Sequence, residues 1–200
     1  MICPICNSKY EQFNTIRNRI NALCPNCGSR ERHRLIWLYL TQKTNFLRDK
    51  LRVLHCSPTT CLSDRFRKLK NIEYISINTN PDSLDIDLQK TSFCSNLFDV
   101  VIVSHVLEHI KDDNRALCEI FRILKSGGNA LLLVPIRGER TEIIKEGTKN
   151  VTIGTIRTYG TDFKNQIERV GFEVKVIDGF NYGSEYGLCP DDFIYVAIKK

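Results

Sequence analysis

The stretch FDVVIVSHVLEHIKDDNRALCEIFRILKSGGNALLLVP, residues 98–135, decides the fold. Residues 98–104 form an apolar run, which is typical of a central parallel strand that is buried on both faces. Residues 112–124 place apolar side chains at three- and four-residue steps, which predicts an amphipathic helix. Residues 130–134 form a second apolar run, and Pro135 ends it. The order of strand, helix and strand is typical of α/β proteins.

The same alternation continues on both sides of this stretch. Further strands are predicted at residues 51–56, 73–77, 84–88, 172–177 and 193–199. Ser57 is predicted to cap a helix that begins at Pro58, and another helix is predicted at 161–170. The fold class is therefore α/β, a Rossmann-like doubly wound sheet. Such sheets bind ligands at the carboxyl ends of their strands.

The charge of the chain is concentrated near its start. Residues 1–50 hold nine Lys and Arg against three Asp and Glu, whereas residues 51–200 hold twenty of each. This change in composition predicts two domains. The first, residues 1–47, is a zinc-ribbon-like module with a linking helix, and the second, residues 48–200, is the larger α/β domain.

Four cysteines in the first fifty residues have the spacing of a metal site. Cys3, Cys6, Cys24 and Cys27 form two C-x2-C pairs separated by 17 residues. Each short turn can aim two sulfurs at one point, so two turns complete a tetrahedron. We therefore predict structural Zn²⁺ with no open coordination position. Two disulfides or a redox-active pair are the alternatives, although a reducing compartment disfavours disulfides.

A basic run follows the second pair of cysteines. Residues 30–34 hold three arginines and a histidine within five positions. One interpretation is that the arginines offset the negative charge of a zinc–thiolate centre. The other is that they bind an anion, such as nucleic-acid phosphate, a nucleotide sugar or a phosphorylated substrate.

Several protein classes are disfavoured by the composition. No run of 18 apolar residues is present, and the opening MICPIC has no basic segment before an apolar one. We therefore expect a cytoplasmic protein that is not inserted in a membrane, as a monomer or a dimer.

The segment H-V-L-E-H, the helix after it and R-x-L-K-x-G-G resemble class I S-adenosylmethionine-dependent methyltransferases of the ubiquinone-pathway type. The cysteine pairs, the run CGSRERHRL, and the segments YGTDF and DDFIYV are similar to a bacterial subfamily with an N-terminal zinc module. The resemblance implies a seven-stranded sheet with an antiparallel last strand. It also implies that S-adenosylmethionine lies over the ends of the first, second and fourth strands.

The resemblance further implies a set of cofactor-binding residues at these strand ends. They are His55, Cys56, Ser57, Pro58, Asn78, Thr79, Asp87, Leu88, Ser104 and His105. The chain departs from the family pattern at two of these places. Residues 55–61 contain no glycine, and Asn78 stands where an acid usually holds the ribose hydroxyls, so its hydrogen bonds are not assisted by charge. Asp87 matches the acid that meets the adenine amino group.

Candidate catalytic residues are His105, His109 and Tyr159, and candidate substrate-binding residues are Arg157, Tyr159, Tyr182 and Tyr186. Histidine suits proton removal at neutral pH, but each of these side chains could instead be structural. His105, Glu108 and His109 could alternatively hold a divalent ion, as in some relatives.

Three functions follow from these features. The first is methyl transfer from S-adenosylmethionine to an O or N atom of a small-molecule or carbohydrate-like acceptor. The second is a binding or scaffold protein with a catalytically impaired methyltransferase fold. The third is a nucleic-acid methyltransferase guided by the basic module, although no N-P-P-Y-like segment follows the fourth predicted strand.

Overall fold

A computed structural model describes residues 1–78, 86–144, 154–189 and 192–200. Its contacts divide the chain into two compact units. The first unit combines Met1–Leu51, Pro58–Tyr74 and Val176–Ile194, and the second contains Arg52–Ser57, Ile75–Lys175 and Tyr195–Lys200. The boundary between residues 47 and 48 stays a prediction.

The secondary structure follows the predicted alternation. The strands are β1 (Asn14–Ile16), β2 (Arg19–Leu23), β3 (Leu51–Cys56), β4 (Ile72–Ile77), β5 (Phe98–Ser104), β6 (Leu124–Leu133), β7 (Glu142–Ile143), β8 (Arg157–Thr158), β9 (Glu173–Asp178) and β10 (Phe193–Ile198). The α-helices are α1 (Glu31–Lys43), α2 (Thr60–Arg67), α3 (Asp113–Ile123) and α4 (Phe163–Arg169). None of the helices in these described ranges is long and apolar enough to cross a membrane.

Six strands form the main sheet of the described chain, in the order β4-β3-β5-β6-β10-β9. β5 is parallel to both β3 and β6, and β10 is antiparallel to β6. The Rossmann-like α/β class and the antiparallel last strand are thus confirmed. Within the described residues the sheet has one strand fewer than the expected seven. Of the strand predicted at 84–88, residues 84 and 85 lie outside the described residues, residues 86 and 87 have no regular structure, and residue 88 lies in a turn.

The central strand is where the sequence predicted it. β5 has the predicted bounds, and the side chains of Val101, Ile102 and Val103 are at most 1% exposed. α3 buries one apolar face, as predicted, and the Asp112 carboxylate caps it by accepting the Arg115 N–H at 3.0 Å. β6 begins at Leu124, six residues before the predicted start, because the residues around Gly127 and Gly128 pair with the end of the chain.

The first unit has a core of its own. β1 and β2 form an antiparallel hairpin that separates the two cysteine pairs. The apolar face of α1 buries Leu35, Ile36 and Leu38. The ring of Phe66 in α2 contacts three other aromatic rings, with centroids 5.3–6.0 Å away: Trp37, Phe46 and Tyr74.

Candidate functional site

The four cysteines predicted as metal ligands lie together in the first unit. Their sulfur atoms are all within 4.8 Å of one another. The Cys3 and Cys27 sulfurs are 3.6 Å apart, and those of Cys6 and Cys24 are 3.7 Å apart. A tetrahedral Zn–S distance of about 2.3 Å requires sulfurs roughly 3.8 Å apart. Disulfide sulfurs would be about 2.05 Å apart, so the cluster fits a tetrahedral metal better than two disulfides.

The two cysteine turns have the same backbone design. In the first, the Asn7 N–H donates to the Cys3 carbonyl at 2.8 Å, and in the second the Gly28 N–H donates to the Cys24 carbonyl at 3.0 Å. Asn7 and Gly28 both have left-handed φ values, of 60° and 67°. Asn and Gly are the residues that adopt this conformation most readily. Both turns are therefore closed by a residue type that suits the left-handed conformation.

The basic run after the cysteines is not a uniform anion-binding surface. Arg34 is fully buried and directs its guanidinium at main-chain carbonyls. The His33 side chain accepts the Arg30 N–H at 3.1 Å and caps α1. Arg32 is half-buried, and burial lowers the pKa of its guanidinium to about 10. At least Arg34 and His33 therefore serve the fold of the module.

The end of β3 turns through Ser57 in an unusual conformation. Ser57 has a left-handed φ of 48°, and its N–H donates to the carbonyl of Ile77 at the end of β4. The prediction that Ser57 caps a helix starting at Pro58 is wrong, because Thr59 is the N-cap and α2 begins at Thr60. Ser57 thus adopts a conformation that favours glycine, at the place where the family usually has a glycine-rich loop.

The remaining predicted cofactor residues differ in exposure. The side chains of His55 and Cys56 are 2% and 0% exposed, and burial lowers the pKa of His55 to about 3. Asn78, directly after β4, is exposed. Thr79 lies outside the described residues.

Asp87 and Leu88 follow the undescribed stretch 79–85. The Asp87 side chain is exposed, and its Oδ1 accepts the main-chain N–H of Gln89 at 2.9 Å. Leu88 is buried. Pro58 belongs to the first unit, whereas the other described cofactor candidates belong to the second.

The end of β5 carries a histidine–carboxylate pair. His105 has a left-handed φ of 56°, and its N–H donates to the Leu133 carbonyl at 2.9 Å. Its Nδ1 lies 3.1 Å from Oε1 of Glu108, whose side chain is 3% exposed. Among the described residues, the second oxygen of Glu108 and the hydroxyl of Ser104 are buried without a hydrogen-bond partner. The end of β5 and the turn after it therefore present polar groups that a ligand could satisfy.

Arg157 and Tyr159 hold the turn that follows β5. Arg157 donates to the carbonyls of Leu107, Ile110 and Lys111. Tyr159 is fully buried, and its hydroxyl donates to Asp113 at 2.7 Å. Burial and the neighbouring Asp113 raise the pKa of Tyr159, so its hydroxyl stays protonated at neutral pH and does not act as a base. These contacts do not fit a substrate-binding role for Arg157, or a catalytic or substrate-binding role for Tyr159, because the functional groups of both are used within the fold.

The remaining predicted site residues are His109, Tyr182 and Tyr186. His109 is half-buried, and the only group of three or more candidate metal ligands within the described ranges is the four-cysteine cluster. A divalent site formed by His105, Glu108 and His109 is therefore not supported. Tyr182 and Tyr186 belong to the first unit, where the Tyr182 hydroxyl is buried without a partner.

The sequence suggested Glu108 only as a ligand of an alternative divalent-ion site, and it did not indicate a role for Asp113. Glu108 is three positions after His105, and a single turn of 3₁₀-helix, Leu107–His109, brings the two side chains together. The i, i+3 spacing was a usable signal for this pair. Nothing in the spacing of residues 113 and 159 indicates the bond between Asp113 and Tyr159.

Comparison with known proteins finds a matching domain family and a partial relative. A family model described as a methyltransferase domain matches residues 44–132. Over 66 residues the chain is 35% identical to the ubiquinone/menaquinone biosynthesis C-methyltransferase UbiE of Pasteurella multocida (strain Pm70), which covers 33% of this chain and 24% of that protein.

Solved structures share the fold at low sequence identity. A SAM-dependent methyltransferase from Archaeoglobus fulgidus superimposes with a TM-score of 0.56 at 16% identity, covering 84% of this chain and 94% of that one. Phosphoethanolamine N-methyltransferase 2 of Haemonchus contortus gives a TM-score of 0.59 at 14% identity, covering 91% of this chain and 54% of the other. Residues 44–132 therefore match a methyltransferase domain, and the sheet has the fold of solved SAM-dependent methyltransferases.

Proposed function

We propose that this protein transfers a methyl group from S-adenosylmethionine to an O or N atom of a small-molecule or carbohydrate-like acceptor. The observation that carries the proposal is the His105–Glu108 pair at the end of the central strand of a methyltransferase fold. Bound S-adenosylmethionine would supply an electrophilic methyl group on a sulfonium.

The cofactor would be held by side chains at the strand ends. The exposed Asn78 after β4 would bond ribose hydroxyls, and the Ser104 hydroxyl, which has no partner among the described residues, would offer a further donor or acceptor. Ser57 supports this assignment because its left-handed backbone keeps the turn for which the family uses glycine.

His105 would remove the proton of the acceptor. Nδ1–H donation to the Glu108 carboxylate leaves Nε2 with its lone pair, which is the tautomer that a general base requires. Hydroxyl and amine acceptors lose a proton on methylation, and a base at this position would accept it. The side chain of His105 is 34% exposed, which leaves part of the ring open to solvent.

The four-cysteine cluster would bind Zn²⁺ in a structural role. All four coordination positions would be filled by thiolates, so no position is left for a substrate or for water. We assign the metal to folding of the first unit.

Calorimetry on zinc-replete protein tests cofactor binding. S-adenosylhomocysteine should bind at micromolar to sub-millimolar affinity. Asn78→Asp should raise this affinity by about two- to tenfold, because a carboxylate forms stronger, charge-assisted bonds with hydroxyls. Asn165→Asp makes the same change on the exposed face of α4 and should have no effect. A flat titration of the unaltered protein rejects the proposal, and an affinity that is insensitive to Asn78→Asp favours the scaffold alternative.

A labelled-methyl assay with a panel of hydroxyl, amine and carbon acceptors tests the reaction. His105→Gln should lower transfer to a responsive acceptor by about a hundredfold or more while leaving S-adenosylhomocysteine affinity within twofold. Glu108→Gln should cause a smaller loss and shift the pH profile, because it acts through His105. Transfer confined to carbon acceptors would contradict the O or N assignment. The partial relative from Pasteurella multocida is named as a C-methyltransferase, so carbon acceptors belong in the panel.

The nucleic-acid alternative has less support. Arg34 is used inside the fold, and Arg19 pairs with Glu31 at 3.2 Å, so the basic module has fewer available cations than its net charge suggests. RNA or DNA binding that weakens steeply with added salt would favour this alternative over a small acceptor.

A further inference from the structure

Arg34 is the best-connected side chain of the first unit. It is fully buried, and each of its five N–H groups has an acceptor. The acceptors are main-chain carbonyls of the cysteine module and of a distant segment: Asn21, Ala22, Ser29, Tyr186 and Gly187. The shortest bonds, of 2.6–2.7 Å, include one to Ser29, directly after the second cysteine turn, and those to Tyr186 and Gly187. One guanidinium therefore joins the cysteine module to the turn at 184–187.

Two further contacts join the same parts of the unit. The Ile2 N–H, next to Cys3, donates to the Glu185 carbonyl at 2.8 Å. Gly187 has a left-handed φ of 63°, and a Cβ at this position would lie 2.8 Å from the Asn21 carbonyl oxygen. The turn thus contacts the module so closely that only glycine fits.

The charge of Arg34 has no hydrogen-bonded carboxylate among the described residues. Burial lowers its pKa, and the negative charges that oppose this effect are Glu31, the sulfurs of Cys3 and Cys24, and Asp192. A buried cation needs compensating charge. A metal–thiolate centre carries net negative charge and would supply it.

We propose that Arg34 is a positioning residue through which the four-cysteine centre holds the turn at 184–187 in place. This turn and the preceding segment carry Tyr182 and Tyr186, which are acceptor-binding candidates, and that part of the inference rests on the proposed function. The metal would then control the order of the acceptor segment without contacting any substrate.

Hydrogen–deuterium exchange on the full-length, zinc-replete protein tests this link. Chelation of the metal should raise the exchange rate of amides 184–187 by about tenfold or more. Arg34→Lys, which keeps the charge but loses the planar fork, should raise exchange at the same amides while the protein still retains zinc. Unchanged exchange at 184–187 in either experiment, or equally increased exchange along the whole chain, overturns the proposal.

A second variant compares the strengths of the two parts of the link. Gly187→Ala should release the turn by steric clash but leave the zinc content unchanged, because four thiolates bind zinc far more strongly than the turn contacts the module. Loss of zinc from Gly187→Ala would contradict this order of strengths. Arg157→Lys is the matched control, since it alters a buried arginine of the second unit and should raise exchange at residues 107–111 only.

Calorimetry separates this inference from the proposed function. Arg34→Lys should leave S-adenosylhomocysteine affinity within twofold. If this variant instead lost affinity to the same extent as it lost protection of amides 184–187 from exchange, a role confined to the turn would be contradicted. A flat titration of the unaltered protein would reject the methyltransferase proposal, yet the exchange at 184–187 would still decide whether the metal centre orders the turn.

Discussion

Two buried arginines organise the two units of this protein in different ways. Arg34 in the first unit and Arg157 in the second are 0% and 4% exposed, and both donate mainly to main-chain carbonyls. Their sources of compensating charge differ. Arg157 lies 3.5 Å from the Asp113 carboxylate, whereas the negative groups that act on Arg34 include the sulfurs of Cys3 and Cys24.

This difference in compensating charge predicts how far the stability of each unit depends on a metal. In the second unit the charge of Arg157 is compensated by the carboxylate of Asp113. The turn at 107–111 should therefore keep its structure without a metal. In the first unit, part of the charge that compensates Arg34 comes from thiols whose charge depends on metal binding, beside the carboxylates of Glu31 and Asp192. The stability of the first unit should therefore follow metal supply and redox conditions, whereas that of the second unit should not.

Removal of the metal centre should have the largest effect. Cys24→Ser, or chelation of zinc, should unfold the first unit, because structural zinc contributes on the order of 10 kcal/mol in small zinc domains. Hydrogen exchange should increase throughout residues 1–43 and stay slow in β5 and β6. Cys118→Ser, on the exposed side of α3, is the control and should change stability by less than about 0.5 kcal/mol. Equal hydrogen exchange in Cys24→Ser and Cys118→Ser would contradict the dependence of the first unit on the metal centre.

Tyr159→Phe should have the next largest effect. It removes the hydroxyl that donates to Asp113, leaving a buried carboxylate oxygen with one partner fewer. We expect a loss of about 1–3 kcal/mol in the free energy of unfolding of the second unit, measured by urea denaturation. A loss below about 0.5 kcal/mol would show that the Arg157–Asp113 network does not need this hydroxyl.

Asp192→Asn should stabilise the first unit in a pH-dependent way. Burial and the nearby Glu31 raise the pKa of Asp192 to about 6, above its usual value of 3.8. The ionised carboxylate therefore costs stability above pH 6, and the cost disappears below pH 3.8. The variant should gain on the order of 1–2 kcal/mol at pH 7 and clearly less near pH 5.5, measured by urea denaturation of the zinc-replete protein at both pH values.

Asp162→Asn in the second unit is the control, because we expect it to change the free energy of unfolding in the opposite direction. Burial raises the pKa of Asp162, but hydrogen bonds from the Thr141 N–H and hydroxyl outweigh this and lower it overall. Its ionised form therefore stabilises the fold above its unfolded pKa, and Asp162→Asn should destabilise the protein at pH 7. The same sign for both variants would contradict the assignment.

Tyr182→Phe should have the smallest effect. The Tyr182 hydroxyl is buried without a partner, and burial raises its pKa to about 12. Removing an unpaired hydroxyl should change the free energy of unfolding by less than about 0.5 kcal/mol, in contrast to Tyr159. A loss above about 1 kcal/mol would indicate a bond to this hydroxyl in solution.

Much of the fold could be predicted because it depends on local patterns. The apolar run of β5, the i, i+3, i+4 pattern of α3 and the spacing of the cysteine pairs each specify structure within a few turns of chain. The start of α2 could not be predicted in this way. Ser57-Pro58 is a typical helix start, but a bond from Ser57 to the end of β4 pulls the chain into a left-handed turn first.

The candidate site was predicted less completely than the fold. Asn78 and His105 lie at strand ends, where a residue's position in the sheet is enough to suggest a role. Arg157 and Tyr159 carry side chains typical of substrate binding, but burial and hydrogen bonding within the second unit make them part of its structure. A side chain's chemistry can be read from the sequence, whereas its partners depend on what the fold brings beside it.

The sequence by itself determined the α/β class, the four-cysteine cluster and the strand that carries His105, since each depends on residue types at short, regular spacings. Only the tertiary structure decided the partner of His105 and the distinct roles of the arginines at 32, 34 and 157. Hydrogen bonds and burial are set by groups up to 153 residues apart along the chain, as between Arg34 and Gly187, and no local pattern encodes such a separation.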